Sequence, residues 1–177
     1  AKTEENSENL QGYTLTLDGS IGVNFYMDLS NEFAADDAYM EFSLPNGDTQ
    51  QIKVSEAKKK DDSYVFTCKV AAKEMTADIQ AQMVAGDVRG EMYTYNVKQY
   101  ADYILEHTDT YSESAVALVK SMLNYGAAAQ QLFSYRTDTL ANTDLNEEDK
   151  VIDSADFSNY QYTVTQKDQV TGVQYYG

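Results

Sequence analysis

Tryptophan is absent from this chain, and cysteine, proline and histidine occur once each, as Cys68, Pro45 and His107. A single cysteine excludes an intramolecular disulfide and leaves too few thiolates for a structural zinc site. A single histidine means that any triad-type nucleophile would have to use His107. Its place at the end of an expected helix, beside Asp109, reads instead as a cation complementing the helix dipole. Cations are scarce as well: 13 Lys and Arg stand against 29 Asp and Glu, for a net charge of −16 and a pI near 4.2. Such a surface repels a phosphate backbone and an anionic membrane alike, so nucleic acid is excluded as a partner. No run approaches the ~18 consecutive apolar residues of a membrane span, so no membrane insertion is expected. A glycine-rich phosphate loop and a Gly-x-Ser-x-Gly elbow are both missing. No cofactor and no metal are expected, and the charge favours a monomer.

What is present is mostly period-two alternation. Residues 1–11 form a polar opening, read as a disordered tail, either a mature terminus left by cleavage or the edge of a fragment. From Gly12 onward Tyr13, Leu15 and Leu17 alternate with threonines. Asp18-Gly19 then supplies a turn, and Ile21, Val23, Phe25, Met27 and Leu29 alternate with Gly22, Asn24, Tyr26 and Asp28. Residues 39–44 and 51–54 flank Pro45-Asn46-Gly47-Asp48, a second hairpin turn. The charged turn at 58–63 leads into a strand over 64–70, where Tyr64, Phe66, Cys68 and Val70 share a face, so Cys68 is a core thiol. Residues 71–76 fit one helical turn, and strands follow over 79–83 and 89–95. About seven short strands with one apolar face each predict an antiparallel β-sandwich over residues 12–96.

The longest periodic stretch is helical. Over residues 112–135, Ala115, Val119, Met122, Gly126, Ala129 and Phe133 form one stripe, flanked by Leu118 and Leu123 and opposed by Glu113, Lys120, Asn124 and Gln131. Thr110 and Glu113 have capping-box spacing, and Gly126 and Ala129 leave a flat spot for close approach of another backbone. Asn96 caps an earlier helix whose stripe is Val97, Tyr100, Ala101 and Ile104. The short link after His107 predicts an αα-hairpin over residues 97–142, packed on the sandwich. Residues 143–159 read as an acidic connector. Residues 160–177 read as a short terminal β-hairpin that joins the sandwich edge or opens a second β-unit. The predicted fold class is therefore α+β.

Candidate chemistry is sparse. The carboxylate pairs Asp36-Asp37, Asp61-Asp62 and Glu147-Glu148-Asp149 would serve a glycan hydrolase only if two faced each other across a cleft, and all fall in polar loops. Residues 142–149 imitate a calcium loop without its central glycine, and a solvated linker is the simpler reading. Tyrosine is in excess at 15. Tyr93, Tyr95, Tyr103, Tyr111 and Tyr135, with Tyr100 and Tyr125, gather at the expected junction of sandwich and hairpin. Rings with a polar tip suit an internal interface, or an exposed patch that binds glycan or protein. No catalytic residue is assigned.

The stretch Leu123-Asn124-Tyr125-Gly126-Ala127-Ala128-Ala129-Gln130, with Phe133-Ser134-Tyr135 and Leu140-Ala141-Asn142 after it, resembles a module of secreted and cell-surface proteins of gut Gram-positive anaerobes. Tyr95-Asn96-Val97 with Tyr100-Ala101, and Val65-Phe66-Thr67 leading to Ala71-Ala72-Lys73-Glu74-Met75, are similar to it too, so the likeness covers most of residues 12–142. It implies an extracellular location, an Ig-like sandwich with a helical hairpin, and a further β-unit that Val173-Gln174-Tyr175-Tyr176-Gly177 would open, so that the chain ends inside it. It implies no activity and no functional residues. The expectation is a non-catalytic binding module for glycan or another surface protein, or a spacer. The alternatives are a carboxylate-dependent glycan hydrolase and an architectural stalk domain.

Overall fold

A computed structural model describes residues 8–18, 20–150 and 161–163. The alternation seen in the sequence becomes β1 (Glu8–Asp18) and β2 (Ile21–Leu29), paired antiparallel with Phe25 opposite Tyr13 and Val23 opposite Leu15. The first strand begins earlier than expected: residues 8–11, assigned to the tail, extend it beyond a bulge between Leu10 and Gly12. The extra residue resets the alternation, so Glu8 as well as Leu15 faces inward, and Glu8 is buried.

After a 3₁₀ turn at Asn31–Ala34 come β3 (Tyr39–Ser43) and β4 (Thr49–Lys53), then the short β5 (Lys58–Lys60). The β3–β4 turn closes as its chemistry requires: Gly47 takes φ +94°, and Asn46 Oδ1 accepts from the Asp48 amide at 2.8 Å. Next are β6 (Ser63–Val70), a 3₁₀ turn at Ala72–Glu74, β7 (Ile79–Ala85) and β8 (Val88–Tyr95). With β9 (Gln161–Thr163), the strands form two antiparallel sheets in the orders β5-β6-β2-β1-β9 and β4-β3-β7-β8. Of the two routes expected for the terminal strands, β9 takes the edge, pairing Tyr162 with Leu17. The tail over 1–7, Gly19 of the first turn, the connector beyond Lys150 and the last strand lie outside the described residues.

The apolar faces of the sheets meet in one core. Phe25 of β2 reaches Phe42 of β3 at 5.2 Å between ring centroids, and Tyr13 of β1 stacks on Tyr95 of β8 at 3.7 Å. Phe25, Phe42 and Phe66 are among the largest fully buried side chains, each stabilising by roughly 2–3 kcal/mol through burial.

Two helices complete this α+β molecule. In α1 (Val97–Glu106), Asn96 accepts from the Gln99 amide at 2.7 Å, and Val97, Tyr100, Ala101 and Ile104 are buried as their spacing predicts. In α2 (Glu113–Leu132) the cap is Ser112, whose Oγ accepts from the Ala115 amide at 3.2 Å, so the expected capping box at Thr110 does not form. Its apolar stripe also needs correction. Ala115, Val119, Met122 and Gly126 are buried, but Phe133 terminates the helix at 61% exposure because the chain leaves the helical path there. Asn124, expected on the solvent side, is buried at 4%.

The reason is a second partner on that side. The Asn124 amide donates to the Asp149 carbonyl at 2.7 Å and its Oδ1 accepts from Asn142 at 3.0 Å. Gln130, fully buried, donates to the carbonyls of Arg136 and Thr139 and accepts from the Ala141 amide at 2.9 Å. Residues 136–150 are thus folded back on α2, with Leu145 buried and Asp149 paired to Lys120 at 3.1 Å, where a solvated connector was expected from residue 143. The flat spot at Gly126 receives Met75, from the turn after β6, together with this segment: a Cβ there would lie 2.7 Å from Met75 Sδ and 3.2 Å from Ala141 Cβ.

Candidate functional site

The five tyrosines singled out from sequence do not share an exposed patch. Tyr95 and Tyr111 are buried at 5% each, which withdraws both from any ligand-facing surface. Tyr95 is held by the stack on Tyr13, and burial raises both hydroxyls, that of Tyr13 to about 12. Tyr93 is half-buried and donates to Glu8 Oε2 at 2.9 Å. Burial first, then this hydrogen bond, raises its pKa. Tyr135 donates to Glu74 Oε2 at 3.0 Å, and its pKa too is raised, by desolvation and then by that carboxylate. Tyr103 is half-buried, with its ring 3.9 Å from that of His107.

His107, Cys68, Glu8, Glu74, Asp144 and Asp149 are also tied into the fold, whereas the carboxylate pairs Asp36-Asp37 and Asp61-Asp62 lie exposed on the surface. His107 Nδ1 lies 2.8 Å from the Tyr103 carbonyl at the end of α1. Cys68 is fully buried, and burial pushes its thiol up to about 12, far from a reactive thiolate. Glu8 accepts from the Glu91 amide at 3.1 Å in addition to Tyr93, and Glu74 from Asn46 in addition to Tyr135. In the stretch that imitates a calcium loop, Asp144 pairs with Lys98 at 2.6 Å and Asp149 with Lys120. Among the described residues, no group of three or more His, Cys, Asp or Glu is placed to hold a metal ion.

A different feature stands out on the outer face of the five-stranded sheet. The same alternation that turns Val23, Phe25 and Met27 inward turns Gly22, Asn24 and Tyr26 outward, beside Val65, Thr67 and Lys69 of β6. These residues line a trough of about 540 Å³, within the range of small-molecule sites. Asn24 organises its floor: the amide donates to Thr14 Oγ1 at 2.9 Å and Thr16 Oγ1 at 2.7 Å, while Oδ1 accepts from Thr67 at 2.5 Å. Thr14 in turn donates to Tyr26 Oη at 2.9 Å. Gly22 keeps the floor low, since a Cβ there would meet the Thr67 methyl at 2.9 Å.

The border carries charge of the minority sign. Lys58 and Lys60 of β5, opposite Val65 and Ser63, line the trough with Lys69, and Lys59 lines it from over the Tyr64 ring at 4.6 Å. Lys98, Lys120 and Lys150 are in salt bridges. Among the described residues, none of these bridges includes Lys58, Lys60 or Lys69. Glu56 is the carboxylate in the lining. Local chemistry at residues 58–63 gives only a charged turn and does not reveal this site. The available signal was the bunching of Lys53, Lys58, Lys59, Lys60, Lys69 and Lys73 in a chain so poor in cations. Comparison with models of known families, with curated proteins and with solved structures finds no match.

Proposed function

We propose that this chain is a non-catalytic binding module of an exported, cell-surface protein, built as an Ig-like sandwich braced by an αα-hairpin, and that it holds a saccharide in the outer trough. The sandwich reading draws support from the Phe25–Phe42 contact between the sheets, and the hairpin reading from the short link between α1 and α2. Export rests on the module resemblance of residues 12–142.

One observation carries the binding reading: a concavity of saccharide size whose floor offers the half-buried hydroxyls of Thr16 and Thr67, each held in place by a hydrogen bond to the buried Asn24 amide. Preorganised polar groups lose little entropy on binding, which suits a ligand that presents many hydroxyls. The tyrosine-patch version of this function is replaced by the trough, since Tyr95 and Tyr111 are interior. Against the hydrolase alternative, the trough brings a single carboxylate, Glu56, among its described lining residues, whereas glycoside hydrolysis employs two.

The test is calorimetric titration of the chain with a panel of neutral and acidic oligosaccharides. Binding without turnover, weakened by Asn24→Ala, is the expected result. Binding to no saccharide would overturn the reading in favour of an architectural spacer.

A further inference from the structure

We infer that the trough selects anionic saccharides, chains whose sugar rings carry carboxylate or sulfate groups. The inference rests on the binding reading above and specifies its ligand class. Lys58, Lys60 and Lys69 border a floor made of Thr16, Asn24 and Thr67. The Thr16 and Thr67 hydroxyls, held by Asn24, match sugar hydroxyls, and ammonium groups match an acidic substituent on the same ring. These cations are not consumed by ion pairs among the described residues, although the chain holds 29 carboxylates. An anionic ligand supplies the missing counter-charge.

The whole-molecule charge of −16 gives this site an unusual dependence on salt. At ~0.15 M salt the screening length is about 8 Å, so the bordering lysines dominate what a ligand in the trough feels. At ~0.01 M it is about 30 Å, and carboxylates across the whole molecule act on the ligand too. An ordinary cationic site binds anions more tightly as salt is removed. Here affinity rises as salt is lowered from ~0.5 M, passes through a maximum and falls again below ~0.05 M.

The experiment titrates the chain with an oligogalacturonide and with its methyl ester, which keeps the sugar and removes the charge. Dextran sulfate against dextran provides the sulfate arm, and polyglutamate a non-saccharide polyanion. The expected result is binding of one or both acidic saccharides, with their neutral counterparts and polyglutamate at least tenfold weaker. Lys58→Gln, Lys60→Gln and Lys69→Gln each weaken binding about threefold, and the triple variant about thirtyfold. Glu56→Gln strengthens it, and Lys73→Gln, outside the trough, leaves it unchanged. Equal binding of acid and ester overturns the ligand class while leaving the trough as a saccharide site. Equal binding of polyglutamate reduces the site to a generic cationic patch. Binding by no saccharide overturns the class and the function together.

Discussion

Gln130 and Asn24 are both buried amides, each with three hydrogen bonds, but they do different work. Gln130, at 0% exposure, bonds backbone groups of residues 136–141 and locks that segment onto α2. Asn24, at 8%, bonds three threonine hydroxyls and so fixes the floor of an outward-facing trough. Around α2 the polar groups are satisfied within the chain: Asn124 by Asn142 and Asp149, Glu74 by Asn46 and Tyr135. Around the trough the floor is satisfied and, among the described residues, Lys58, Lys60 and Lys69 are in no ion pair. Polar density alone therefore does not mark a site. What separates the regions is whether the charges find their partners inside the fold.

The largest effect that separates them is predicted for Gln130→Leu. An apolar side chain of similar size leaves two carbonyls and an amide without their partner, costing about 3 kcal/mol in urea unfolding and leaving saccharide affinity unchanged. A loss of affinity in the folded variant would join the two regions and break the comparison. Gly126→Ala comes next. The new methyl meets Met75 and Ala141 inside contact distance, and this crowding outweighs the gain in helix propensity for a net loss of about 1–2 kcal/mol. A stabilised Gly126→Ala would show that the Met75 side chain has room to move aside.

The triple change Lys58→Gln, Lys60→Gln and Lys69→Gln is predicted to shift stability by less than about 0.5 kcal/mol, since no described ion pair is broken. A larger loss would place these lysines in the architecture. The smallest effect belongs to Asp144, held below its ordinary 3.8 by the Lys98 hydrogen bond and then by that charge. A lowered carboxyl contributes stability in full above its unfolded value and loses it as pH falls through the folded one. Because Asp144 is 71% exposed, Asp144→Asn removes less than about 0.5 kcal/mol at pH 7 and nothing once the pH has fallen below its lowered folded value, read by acid titration of unfolding.

Strands and helices were legible wherever a single period ran through one chemical environment. Val23, Phe25 and Met27 announced the inner face of β2, and Asn96 announced the start of α1. Errors fell where a second segment changed the environment. Asn124 looks like a solvent-facing residue until residues 140–150 cover it, and Phe133 looks like core until the helix ends beneath it. Tyr95 and Tyr111 carry the same residue type as an exposed binding ring, and only the tertiary contacts tell them apart. The trough was hidden for a related reason. It needs β5, β6, β2 and β1 side by side, and strand order is not written in local alternation.

The most direct test follows backbone amide shifts by NMR while an oligogalacturonide is added at ~0.15 M salt. Shifts concentrated at Thr16, Gly22, Asn24, Lys58, Thr67 and Lys69, with Leu132 to Arg136 still, are the predicted result. Shifts centred on the end of α2, or none along β2 and β6, would contradict the account.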